Sequence, residues 1–162
     1  MIQNKKRLLF LILIWMLIIF ILSSQTREES RSLSGIITNI IISVVYNKDK
    51  EITKKEIKKI NHTVRKSAHF ICYFLSGILF LSFYNQFKIS TTKRFLFSQA
   101  SGIIYAITDE FHQLFVQGRG ASFKDVFIDS SGVFIGMILA YFLIKKSKRE
   151  LNINGRKSHR LL

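Results

Sequence analysis

Residues Leu8 to Leu22 form an unbroken block of fifteen apolar residues directly after Lys5, Lys6 and Arg7. A helix on the surface of a soluble domain carries an apolar stripe, not an apolar circumference, so this block belongs in hydrocarbon. A bilayer core is roughly 30 Å thick, and about 20 mostly apolar helical residues cross it at 1.5 Å each. A basic start and apolar middle also describe a signal peptide, with Ser23 and Ser24 as the small residues. The block lacks an A-x-A pattern and three more spans follow it, so it is expected to be a retained anchor.

Those further spans are expected at about 67–84, 95–116 and 126–144, giving an all-α polytopic bundle of four transmembrane helices in one domain over 1–162. Lys5, Lys6 and Arg7, then Lys88, Lys93 and Arg94, then Lys145, Lys146, Lys148 and Arg149 flank these spans on one common side. The positive-inside rule makes that side, with both termini, cytoplasmic in a bacterial cell membrane. The connection from Ser23 to Lys66 carries ten Lys/Arg against this rule, but spreads them over a long stretch with five acids.

Composition agrees with a membrane protein. The formal charge is +15, from 25 Lys+Arg and 10 Asp+Glu, yet 48% of residues are hydrophobic and 15 are Phe. Intrinsic disorder fails on the second figure. A soluble nucleic-acid binder fails on the massing of apolar residues into blocks, and no nucleic-acid partner is expected. The single Cys72 excludes a disulfide framework and reads as a buried structural thiol, and without proline no helix is kinked by a ring.

The connection between the first two spans contains an amphipathic segment, about 33–64. Leu33, Ile36, Ile37, Ile40, Ile41, Val44 and Val45 share one helix face, expected to lie on the outer leaflet or on the bundle. A second helix is expected from Thr53 to Val64, begun by the capping-box pair Thr53 and Glu56. The tail 145–162, with Arg156, Lys157 and Arg160, reads as disordered, cytoplasmic and attracted to anionic lipid.

The ionisable residues near the span ends carry the functional signal. Span three has 14 uncharged residues, Phe95 to Thr108, before Asp109 and Glu110. That is about 21 Å of helix, so the acids fall inside the membrane boundary, where a charge costs about 2.5–3.5 kcal/mol at mid-depth and less near an end. At 100° per residue Ser98, Gly102, Tyr105, Ala106, Asp109, His112 and Gln113 share a face, with Glu110 at its edge. Ile103, Ile104, Ile107, Phe111 and Leu114 cover the other side. Span four aligns Asp125, Asp129, Gly132, Gly136 and Ala140, a small-residue seam whose plain meaning is helix packing and which also offers an oligomer contact. Span two aligns Arg65, His69, Cys72 and Ser76. Between spans three and four, Arg119 lies between Gly118 and Gly120, free to meet an anion or fold onto Asp109, Glu110 or Asp125, and Ser122 resembles an N-cap. The cluster therefore reads as a binding site or an ion-pair lock, with the cost of intramembrane charge favouring the site.

The blocks Val64-Arg65-Lys66-Ser67-Ala68-His69-Phe70, Asp109-Glu110-Phe111-His112-Gln113-Leu114-Phe115-Val116-Gln117-Gly118-Arg119, and Asp125-x-x-x-Asp129-x-x-Gly132-x-x-x-Gly136 resemble the VanZ-like family of small bacterial membrane proteins. The resemblance spans all four crossings and implies kinship with a protein conferring low-level resistance to the glycopeptide teicoplanin. It carries no catalytic residues over. The family usually has Pro where Gln117 stands and Asn where Asp129 stands, so this site holds one more negative charge.

Two functions follow as expectations. The first is an envelope protein whose outer polar pocket, Arg65, His69, Asp109, Glu110, His112, Gln113, Arg119, Asp125 and Asp129, recognises a lipid-linked or amphiphilic molecule among membrane lipids. The second is an integral-membrane hydrolase or transferase acting on a lipid or cell-wall precursor, with His112 as a base held by Asp109, and Glu110 and His69 beside them. No cofactor is expected; were a divalent metal present, His69, Asp109, His112 and Asp129 are the N/O donors. A transporter is a weaker reading, because no charge sits at mid-span and no inverted repeat is visible.

Overall fold

A computed structural model describes the backbone of residues 2–45 and 52–158, and side-chain surroundings for 4–45 and 52–150. Five α-helices make up the fold: α1 Ile2–Ser23, α2 Arg27–Val45, α3 Lys54–Tyr84, α4 Thr91–Gln113 and α5 Phe123–Ser158. No strand occurs among the described residues.

α3 is the axis of the bundle and touches each of the other four helices. It begins as expected: Thr53 Oγ1 accepts from the Glu56 N–H at 3.3 Å while Glu56 Oε2 accepts from the Thr53 N–H at 2.9 Å. It does not stop at Val64, because no glycine interrupts the sequence before Gly77. The expected outer helix and span two are one helix of 31 residues.

Among the described residues, three helices are long and apolar enough to cross a membrane: Asn4–Ser23, Lys54–Tyr84 and Phe123–Glu150. α4 is 23 residues long, but Ser98, Gln99, Ser101, Thr108, Asp109 and Glu110 dilute its apolar character. It packs against α3 and α5 through Ser98, Gly102, Ala106, Asp109, Glu110 and Gln113, and turns Leu96, Ile104, Ile107 and Phe111 outward.

The small-residue seam is filled within the chain. α3 and α5 run parallel, and a Cβ on Gly132 would lie 2.6 Å from the Phe70 carbonyl oxygen. One on Gly136 would collide with the Phe74 carbonyl, and one on Gly77 with the Val133 carbonyl. The surface expected to offer an oligomer contact is thus occupied by α3. Tyr73, Leu81, Ala106, Val133, Met137 and Ala140 close the core around it, with Ile19 from α1.

α2, whose apolar face was expected on the outer leaflet or on the bundle, turns its small polar residues toward the bundle. Its buried residues are Ser30, Ser34 and Thr38, with the Ser34 hydroxyl donating to Asn61 Oδ1 of α3 at 2.6 Å. Ile36, Ile40, Val44 and Val45 are exposed, while Leu33 and Ile37, exposed in part, edge the groove toward α1 and α3. Small polar residues permit close packing, and an apolar outer face suits lipid. The C-terminal stretch differs too, since α5 continues unbroken to Ser158 where a disordered tail was expected. The side chains of Arg156 and Lys157, and Arg160 and residues 46–51 altogether, lie outside the described residues.

The three basic flanks gather at one end. Lys5 Nζ sits 4.2 Å from the Phe87 ring centre, Arg94 donates to Asn85 at 2.9 Å, and Lys145 and Lys148 line the same groove as Arg94. The acids and histidines of the three polar faces collect at the opposite end.

Candidate functional site

α3 supplies Arg65, Lys66 and His69 within about one turn, because residues three and four apart share a helix face. α4 brings Asp109, Glu110 and Gln113, and α5 brings Asp125 and Asp129 from its first two turns. The connection from α4 to α5 crosses above them. Gly118 has φ 73°, a left-handed conformation that glycine adopts without cost, and the Arg27 N–H of α2 donates to the Gln117 carbonyl at 3.3 Å. Glu110, expected at the edge of its face, is buried because its carboxylate accepts from the Ser122 N–H at 2.7 Å and so holds the loop down. Ser122 flanks α5 as expected, and this bond is made by its backbone.

Glu110 and Asp109 are further linked by Gln113, whose Nε2 lies 3.3 Å from an oxygen of each. Lys66 forms an ion pair with Asp125. His69 Nδ1 is 3.9 Å from Asp129 Oδ2, too long for a hydrogen bond. Asp129 is 0% exposed and neither carboxylate oxygen has a hydrogen-bond partner. Asp109 Oδ1 is likewise buried without a bond of good geometry, with the hydroxyls of Ser23 and Tyr73 beside it.

The ion-pair lock is only partial. Arg65 and Arg119 form no ion pair among the described residues, and Arg119 Nε is buried without a partner. Burial first, then the neighbouring Arg65, lowers the Arg119 guanidinium from its ordinary value, opposed by Asp109 and Glu110. Two cavities meet here. A polar one of about 230 Å³ is lined by Arg27, His62, Arg65, Lys66, His69, Arg119, Asp125 and Asp129, among others. An apolar groove of about 160 Å³ runs between α1, α2 and α3 past Ile19, Leu22, Leu33, Ile37, Val64 and Cys72. Arg65, His69 and Arg119 line both.

With this arrangement and the sequence blocks that build it in view, a family assignment follows. The family model described as VanZ/LLP1 matches residues 8–145. The chain belongs to the VanZ/LLP1 family. No curated protein and no solved structure matches it.

Within this VanZ/LLP1 member, Arg65, His69, Gln113, Arg119, Asp125 and Asp129 line one cavity, and Asp109 and Glu110 stand behind it. His112 stands apart. Its Nε2 is 3.1 Å from Ser24 Oγ, its ring stacks on Phe20 at 4.4 Å, and it makes no hydrogen bond or ion pair with Asp109. The Asp109/His112 pair considered as a held base is not assembled. Sequence reasoning missed Lys66, Tyr73 and Arg27 as members of the site. Tyr73 was findable, being four residues after His69, and Lys66 is adjacent to Arg65, but nothing in the sequence signals that Arg27 of α2 folds over the same cavity.

Proposed function

We propose that this protein crosses a bacterial cell membrane four times, with α4 as the additional span, both termini cytoplasmic and the site at the outer leaflet. There it binds an amphiphilic or lipid-linked molecule with an anionic headgroup, contributing to glycopeptide resistance of the teicoplanin type or to envelope homeostasis. The observation carrying this reading is the junction of the two cavities: a polar chamber with two unpaired guanidiniums opens onto an apolar groove, and Arg65, His69 and Arg119 belong to both. A planar guanidinium binds phosphate or carboxylate by paired hydrogen bonds, and the groove accepts an alkyl chain. The topology is supported by the three basic flanks meeting at one end, the acids at the other, and by the lipid-suited outer face of α4.

Cells carrying wild-type protein should show lower teicoplanin susceptibility than cells carrying Arg65→Ala with Arg119→Ala at equal membrane abundance. Equal susceptibility would remove the resistance role. For the topology, Gly120→Cys in a Cys72→Ser background should react with a membrane-impermeant maleimide in intact cells. Labelling only after permeabilisation would invert the orientation.

A further inference from the structure

Beyond the headgroup chamber, and independent of any amphiphile, the buried acids behind it form a second constellation. His69, Asp109 and Asp129, one from each of α3, α4 and α5, place a ring nitrogen and two carboxylate oxygens within 4.8 Å of one another. Asp129 is fully buried, and both its oxygens lack hydrogen-bond partners while Oδ2 points toward His69 Nδ1. Asp109 Oδ1 is in the same condition. Lysine or arginine does not neutralise them: Lys66 is taken by Asp125, and Arg65 and Arg119 pair with neither acid. Asp109 Oδ2 accepts from Gln113 at 3.3 Å, so Asp129 is the less compensated of the two, and a buried carboxylate in its state is costly and needs a cation or a proton.

We propose that His69, Asp109 and Asp129 bind a divalent transition-metal ion, zinc or manganese, behind the polar chamber. One imidazole and two carboxylates suit such ions, and two carboxylates balance the ion's charge. Tetrahedral ligands at roughly 2.1 Å from an ion stand about 3.4 Å apart, so the three donor atoms, within 4.8 Å of one another, would have to draw together by side-chain rotation to hold one. His69 and Asp129 also line the polar chamber, so a remaining coordination position faces the space beside Arg65 and Arg119, where an anionic group or water completes the set.

The test is metal analysis of full-length protein purified in detergent with a non-histidine tag, after equilibration with micromolar zinc or manganese and removal of free ion. The wild type should retain about one ion per chain, raising its unfolding midpoint. Asp129→Asn and His69→Gln should bind about tenfold more weakly or worse, since even supporting shells around metals contribute tenfold or more. Arg65→Ala should keep the ion, which separates this proposal from the headgroup reading. A wild type with no ion above background and no stabilisation by either metal would overturn the proposal. Equal metal content in wild type, Asp129→Asn and His69→Gln would overturn it as well, by placing the ion elsewhere.

Discussion

The same three helices meet in two different ways at two depths. Along the middle, α3, α4 and α5 close on Gly77, Gly102, Gly132 and Gly136 until no Cβ fits. At the acidic end they separate around charged side chains, several without partners, and leave a chamber. Close packing below makes opening above affordable: small residues bring backbones together and fix helix directions, so buried polar groups can be held apart above. The closed region is where the chain derives its rigidity, and the open region is where it keeps unsatisfied chemistry.

The largest effect is expected at the closed seam. Gly136→Ala should cost about 1–3 kcal/mol, the usual penalty of overpacking, because its Cβ collides with the Phe74 carbonyl, and Gly120→Ala, with open space around it, should show no such steric penalty. Unfolding midpoints in detergent check this, and equal effects would mean the seam is not rigid. Next comes the open end with its sign reversed. In chelator at alkaline pH, where the acid must ionise without a partner, Asp129→Asn should leave the protein more stable than the wild type. Destabilisation there would mean that the carboxylate is satisfied.

At the boundary between the two regions, Trp15 of α1 places its indole N–H 3.1 Å from both the Cys72 carbonyl and Ser76 Oγ. Trp15→Phe should cost about 0.5–1.5 kcal/mol, measured by chemical unfolding, and a neutral result would detach α1 from the packing argument. The smallest effect concerns α2, whose start is capped as Thr26 Oγ1 and N–H donate to Glu29 Oε2, each at 2.8 Å. The Thr26 hydroxyl first, then its N–H, holds the Glu29 carboxyl below its ordinary value. A depressed carboxyl contributes stability that is present above the unfolded value and lost as pH falls through the folded one. Acidification from neutral should therefore loosen the α2 start slightly, by amide exchange near residues 27–30, and Glu29→Gln should abolish that pH dependence.

Much of the closed region was legible in the sequence, because helical spacing is local geometry. The face Ser98, Gly102, Ala106, Asp109 and Gln113 is buried as read, and Ile104, Ile107, Phe111 and Leu114 are exposed as read. The capping box of Thr53 and Glu56 was legible for the same reason. What failed was whatever a second element decides. The burial of Glu110 depends on Ser122, and the side chain of His112 is drawn to Ser24, just after α1, and away from its own face. The face that α2 turns inward is polar and small, so its amphipathicity was visible in the sequence while the choice between leaflet and bundle was left to its packing on α3. The length of α3 was underestimated because the change from polar to apolar character near Ser67 looked like a boundary, although no residue there breaks a helix.

The central claim is that the open end holds an anionic amphiphile across the junction at Arg65, His69 and Arg119. Native mass spectrometry of the protein released from membranes containing phosphatidylglycerol and a polyprenyl phosphate tests it most directly. The account predicts retained anionic amphiphile on the wild type, lost in Arg65→Ala with Arg119→Ala and kept in His112→Ala, whose residue stands outside the chamber. Equal retention by wild type and the double variant, or none by either, would contradict it.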